Sequence, residues 1–213
     1  MTREQEAYFK TFPTAPRKGE RRKLEILQAA VHSLAKEGFA GSTFDHVAKT
    51  LGVRRSHIAY YFKDREDLLE AVVKYVATVA QTVTLETVEI AKTAEDKIMA
   101  ISDGAFIWAR KYPEQAKVVL LFYYLCTYEK RFQKLQAHIR EAGHQRIRAL
   151  LATFAKGSEP ELDELAKALQ GVMTGLVVEQ CTVGPGLPGM DFQRLSRQAC
   201  MGLLGTPRIK SSQ

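Results

Sequence analysis

A chain of 213 residues holds one or two domains, and a hydrophobic share of 46% buries a real core, so it folds unaided. The longest apolar stretch, Val118 to Cys126, falls short of the ~20 residues of a membrane span, and the N-terminus has acidic residues and no apolar signal core. Those features predict a cytoplasmic protein with no membrane partner. The net charge of +7 is uneven: residues 1 to 66 hold 13 Lys and Arg against 8 Asp and Glu, which suits a segment facing a polyanion. Three cysteines without metal-type spacing, Cys126, Cys181 and Cys200, predict reduced thiols, no metal site and no cofactor.

In chain order, residues 1–20 contain Pro13 and Pro16 with no steady period and are expected to form a flexible arm. Arg17, Lys18, Arg21 and Arg22 stand where such an arm meets a DNA backbone; a tail without contacts is the alternative. Leu24, Leu27, Val31 and Leu34 recur at helical steps from Arg21 to Glu37, and Gly38 stops that helix. After a short loop, Val47, Ala48 and Leu51 give a second helix its inward face. Gly52 can take the left-handed conformation that ends it, and Val53 plugs the corner. Ile58, Tyr61 and Phe62 resume the spacing, so Arg54, Arg55, Ser56, His57 and Tyr60 face outward. This is the pattern of a helix-turn-helix whose donor-rich second helix reads double-stranded DNA; a helical hairpin with a solvated basic face is the bland alternative. Arg55 and His57 are expected at base edges with Tyr60 at the end of the same face, and Thr43, Tyr61 and Lys63 at phosphates. Asp64 caps the next helix while Asp67 reaches back.

Everything beyond Lys63 reads as helix. The fourth carries Leu68, Val72, Tyr75 or Val76, Val79 and Val83; the fifth carries Ile98, Ile101, Ala105, Trp108 and Tyr112 and ends before Pro113. A short helix to about Cys126 precedes a long one from Glu129 to about Lys156, with Phe132, Leu135, Ile139, Ala142 and Ala149 inward. The eighth carries Leu162, Leu165, Leu169, Val172, Leu176 and Val183. After the loop Gly184–Gly189, the ninth carries Phe192, Leu195, Ala199 and Leu203. The fold class is therefore all-α, with about nine helices. Ala168, Gly171 and Gly175 form a small-residue strip, and each mid-helix glycine costs about 1 kcal/mol against alanine, which makes sense where another helix approaches closely, within or between subunits. Phe106, Trp108, Phe122, Tyr123, Tyr124 and Tyr128 concentrate aromatics in two helices, as core or as cavity wall. Glu179, on an otherwise apolar stripe, faces a ligand, pairs with an arginine or lies at a solvent edge. His138 and His144, six apart, do not make a metal pair.

From Arg21 to Val73, the residues Gly38-Phe39, Ser42-Thr43, Val47-Ala48, Leu51-Gly-Val53, Ile58, Tyr61-Phe62-Lys63 and Glu66-Asp-Leu-Leu69 resemble the tetracycline-repressor (TetR) family of bacterial regulators. The resemblance implies a three-helix DNA-binding domain over 21–66 and a helical effector-binding and dimerisation domain over 67–213. It implies a homodimer formed by the last two helices, with Ala168, Gly171, Gly175, Leu195, Ala199 and Leu203 at the interface. A small-molecule effector, apolar or aromatic, would lie against Phe106, Trp108, Phe122, Tyr123 and Glu179 and release a repressor from operator DNA. Members usually carry a small hydroxyl residue directly after the turn Gly-Val and a small residue two positions on; here Arg54 and Ser56 stand there, and Arg54 cannot cap its helix. An enzyme is the rival class, without an HExxH, GxSxG or phosphate-loop signature. A dimeric DNA binder without an effector, architectural or protein-regulated, is the other.

Overall fold

The computed structural model describes residues 3–10, 15–183 and 190–205. Among these residues the chain forms ten α-helices and no strand: α1 (Arg3–Phe9), α2 (Lys18–Glu37), α3 (Phe44–Leu51), α4 (Arg55–Tyr61), α5 (Arg65–Ile90), α6 (Ala94–Lys111), α7 (Pro113–Leu125), α8 (Lys130–Leu151), α9 (Glu159–Val183) and α10 (Phe192–Gly205), with a 3₁₀ turn at Gly38–Ser42. The expected loop Gly184–Gly189 lies outside the described residues.

Local signals set the boundaries. Gly38 (φ +61°) ends α2 and Gly52 (φ +69°) ends α3, both on the left-handed side where a Cβ is costly. Thr43 Oγ1 accepts from the His46 amide to start α3. At α5 the Asp67 amide donates to Asp64 Oδ1 at 2.7 Å, and Asp67 Oδ2 accepts from the Lys63 amide at 3.1 Å, one residue before the cap. Pro113 opens α7, where a missing amide hydrogen costs nothing.

Two expectations are corrected. The flexible arm holds a helix: α1 buries Ala7, and its Glu4 is hydrogen-bonded to Tyr75, Gln28 and Gln115. Seven residues are too few to show a period, and a helix that short is held by tertiary bonds rather than by propensity. The seventh predicted helix ends at Leu151 rather than near Lys156, and the buried face of this helix, α8, runs Phe132, His144, Ile147 and Leu151, with Ala142 and Ala149 exposed. Alanine is a weak marker of phase, and His144 takes the inward position by bonding to Asp163.

The chain divides into two compact units, residues 1–83 with 110–136 and residues 84–109 with 137–213, so α5, α6 and α8 each pass from one to the other. The expected division at 66/67 does not coincide with these boundaries. In the first unit, Leu24, Leu27, Leu34, Val47, Ile58, Phe62, Leu68, Val72 and Tyr75 are buried, and Phe122 meets Phe132 edge to face at 5.9 Å. The second unit packs Ile98, Met99, Ile147, Leu151, Leu162, Leu165, Leu169, Met173 and Cys200 into one cluster. A close helix contact falls at Gly104 on α6: a Cβ there would lie 2.6 Å from Thr84 Cα on α5. By length and composition α5 could cross a membrane, yet its apolar residues Leu68, Val72, Val76, Val79 and Val83 are buried in protein.

Candidate nucleic-acid interface

Helix α4 is fixed from behind and bare in front. Ile58 and Phe62 are buried, and the Lys23 ammonium lies 5.3 Å over the Phe62 ring. Arg54, Arg55, Ser56, His57 and Tyr60 are exposed, Tyr60 at 83%, while Tyr61 is half-buried with its ring 5.1 Å from that of Tyr60. The turn is closed by the Val53 amide on the Ala48 carbonyl at 2.9 Å. Arg54 stands at the N-cap without a side-chain cap, as its chemistry requires, and α4 begins at Arg55.

Two of the exposed side chains, Arg55 and His57, are already engaged in the free protein. The Arg55 guanidinium lies 3.5 Å from Asp45 Oδ2 and 5.6 Å over the Phe44 ring, so it folds back on α3. Such an exposed pair is worth about 0 to 1 kcal/mol and yields readily to a phosphate or base. His57 Nε2 accepts from Arg22 Nε of α2 at 3.0 Å, which leaves its Nδ1 as the donor face. Thr43 is half-buried and bound to His46 through both backbone and ring, and Lys63 is exposed at the start of the next turn. Arg21 is exposed on the first turn of α2. Sequence reading missed three supporting residues. Arg22 orients His57 across 35 positions, Asp45 holds Arg55, and Arg65 ties the 3₁₀ turn to α5 through the Ser42 hydroxyl and the Phe39 carbonyl, the latter at 2.7 Å. Only the Arg22 position carried a hint, as part of the basic run. An open concavity of about 590 Å³ lined by Gly52, Val53, Arg54, Ser56, His57 and Tyr60 runs along this face.

The other expected sites fall elsewhere. Phe106 (0%) and Trp108 (5%) are buried in the second unit, Phe122 (3%) is buried in the first, Tyr123 is half-buried, and Glu179 is exposed. The space beside Phe122 is a crevice of about 10 Å³ lined by Leu34, Phe39, Val73 and Leu121 among others. Ala168, Gly171, Gly175 and Ala199 are exposed, and Leu195 and Leu203 are half-buried. A Cβ added at Gly171 or Gly175 would meet nothing within 4 Å, unlike one at Gly104. Burial pushes the thiols of Cys126, Cys181 and Cys200 above their ordinary range, toward inert, protonated cysteines.

Comparison with known proteins agrees with this layout. Residues 26–72 match the family model of the bacterial regulatory proteins of the tetR family, and residues 94–205, more than half of the chain, match that of the BetI-type transcriptional repressor C-terminal region. The HTH-type transcriptional regulator BetI of Proteus mirabilis is 26% identical over 117 residues, 54% of this chain and 58% of that protein. BetI of Burkholderia lata is 25% identical over 168 residues, covering 78% and 84%. The chain thus spans less than two thirds of the length of the first curated relatives it matches. Among solved structures, a transcriptional regulator from Rhodococcus sp. Rha1 aligns with a TM-score of 0.74 at 15% identity, over 85% of this chain and 95% of that one. A Saccharomonospora viridis regulator in complex with choline aligns at 0.71 and 18%, over 87% and 96%. At such identities these two likenesses concern the fold. With the helix-turn-helix and the second helical region each matched in place, the chain belongs to the TetR family of DNA-binding bacterial transcriptional regulators, with a C-terminal region of the BetI type.

Proposed function

We propose that this chain is a homodimeric, cytoplasmic repressor, without catalytic activity or cofactor, that reads operator DNA through α4 and is released by a small molecule. The observation that carries the reading is the α4 face, anchored by Ile58 and Phe62 and presenting Arg54, Arg55, Ser56, His57 and Tyr60 to solvent. In it Arg55 and His57 read base edges, while Arg21, Thr43, Tyr61 and Lys63 hold the backbone. Dimerisation is supported by the exposed strip Ala168, Gly171 and Gly175, which the protomer leaves uncovered, beside Leu195, Ala199 and Leu203 of α10. Residues 1–66 read DNA and the rest dimerises and senses ligand.

An effector is supported by two structural neighbours, the Saccharomonospora viridis regulator in complex with choline and FadR of Bacillus subtilis in complex with stearoyl-CoA. An apolar or aromatic molecule would reach Phe106, Trp108, Phe122, Tyr123 or Glu179 only by opening the packing around the buried ones, because a ligand site needs about 300 to 1,000 Å³. That burial favours, as second reading, a dimeric DNA binder with no small-molecule effector. The test is selection of bound sequences from random duplex DNA, then anisotropy titration of the selected site with choline, stearoyl-CoA and an aromatic panel. A saturable loss of operator affinity with one ligand supports release; no response to any, with sequence-specific binding intact, supports the second reading. Equal affinity for selected and random DNA overturns operator reading.

A further inference from the structure

Beneath α1, the first unit holds a partly buried polar cluster that operator reading does not use. The carboxylate of Glu4 points into it. Its Oε1 accepts from the Tyr75 hydroxyl of α5 and from Gln115 Nε2 of α7, the latter at 2.5 Å, and its Oε2 accepts from Gln28 Nε2 of α2 at 3.3 Å. Gln5 Nε2 donates to Gln28 Oε1 at 3.1 Å, which turns the Gln28 amide so that its NH₂ faces Glu4. Tyr75 and Gln115 are each only 1% exposed. Burial, then the adjoining Glu4, push the Tyr75 phenol far above its ordinary range, so it remains a donor. The Tyr112 hydroxyl is buried, has no hydrogen-bond partner among the described residues, and acts electrostatically on Tyr75.

These side chains suit one chemistry. A carboxylate is an acceptor with about four lone-pair sites, and Glu4, half-buried, turns its oxygens to donors that fill them. Three helices supply three donors to Glu4, and the Tyr112 hydroxyl, close enough to act on Tyr75, is a further donor without a partner among the described residues. The element delivering the carboxylate is weakly built: seven residues, tied down by this cluster and by Thr82 Oγ1 donating to the Ala7 carbonyl at 3.1 Å. One helical turn after Glu4, Tyr8 sets its ring 5.1 Å from that of Tyr75, edge to face. On one face, α1 thus presents a carboxylate followed by an aromatic ring.

We propose that Gln28, Tyr75, Tyr112 and Gln115 form a carboxylate-binding site, occupied in cis by Glu4, for which small aromatic carboxylic acids compete with α1. The site shares no residue with the effector-lining set. A tethered ligand acts at an effective concentration of about millimolar, so a free acid displaces it only at comparable levels. Because Gln28 lies on α2, displacement removes the Glu4 link that joins the first helix of the DNA-reading domain to Tyr75 of α5 and Gln115 of α7, while their apolar packing remains; a consequence for DNA, unlike the site, rests on the proposed operator reading.

The probe is 3-phenylpropionate, which joins a carboxylate to a phenyl ring, with 3-phenylpropanol as its uncharged counterpart. Hydrogen exchange of the full chain is followed over residues 3–10. The acid at millimolar concentration should accelerate exchange there and the alcohol should not. Glu4→Gln, which sets an amide NH₂ among donors, should loosen α1 and lower the acid concentration needed by about tenfold, the equivalent of 1.4 kcal/mol. Gln28→Leu with Gln115→Leu should abolish the response, with helix content by circular dichroism checking that the variant folds. Identical effects of acid and alcohol, or an acid response that Glu4→Gln leaves unchanged, would overturn the site. The exchange readout needs no DNA: failure to find an operator leaves it standing, and failure of the exchange result leaves operator binding standing.

Discussion

Gly175→Leu separates a protomer's needs from a dimer's. In the protomer Gly175 is exposed and a Cβ would meet nothing within 4 Å, so the first carbon of a leucine side chain enters open space. Leucine is the better helix former, and the substitution should stabilise the isolated chain by nearly 1 kcal/mol. In a symmetric interface the same residue occurs twice, once from each subunit. If added bulk costs ~1 to 3 kcal/mol per copy, the dimer loses about 2 to 6 kcal/mol, a rise in dissociation constant of roughly 30-fold to over ten-thousandfold. Sedimentation equilibrium across concentrations measures that constant directly. Operator anisotropy should fall in parallel, because two reading heads must span half-sites about 34 to 36 Å apart. Gly104→Ala is the contrast: a Cβ 2.6 Å from Thr84 Cα forces α5 and α6 apart within one chain, so it should lower the melting temperature whatever the protein concentration. An unchanged dimer constant for Gly175→Leu would refute the reasoning and remove the strip from any interface.

Arg55→Ala should cost about 1 to 3 kcal/mol on the selected operator and blur preference at one base position, whereas Lys63→Ala should weaken all DNA alike and flatten the salt slope by about one unit; equal losses on specific and random duplexes for both would refute the assignment. Gly52→Ala should destabilise by about 1 to 2 kcal/mol, read as the shift in urea midpoint, since φ +69° is costly for a residue with Cβ; no shift would mean the turn relaxes freely. Hydrogen bonds from Lys74 and then Arg131 hold the Glu70 carboxyl below its ordinary range, so its stabilisation is complete above about pH 4.3 and is lost as pH falls through the depressed value. The melting difference between wild type and Glu70→Gln should accordingly shrink from pH 7 to pH 3, and a constant difference would refute the ion-pair account. Trp108→Ala should cost ~3 to 5 kcal/mol in a chemical melt because the ring is 5% exposed; a loss under 1 kcal/mol would mean it lines a cavity rather than core.

The sequence alone determined whatever depends on neighbours within about a dozen residues. Gly52 ends α3, Asp64 and Asp67 cap α5, Pro113 opens α7, and the 3.6-residue stripe of Leu24, Leu27, Val31 and Leu34 faces inward, because capping, left-handed turns and helical period are set by adjacent backbone. The outward face of α4 was legible for the same reason: once Ile58 and Phe62 are inward, Arg55, Ser56 and Tyr60 have only one side left. Tertiary structure alone decided the rest. The partners of Glu4 stand 24, 71 and 111 positions away, and those of His57 and Arg65 stand 35 and 23 away, so no local window contains them. A glycine looks alike in sequence whether a helix touches it, as at Gly104, or leaves it bare, as at Gly171 and Gly175. An aromatic stripe likewise has one period whether its rings meet each other or a ligand, and only the packing around Phe106 and Phe122 put those rings against protein. Periodicity records which face of a helix avoids water, and what that face meets is fixed by chain segments far away in sequence.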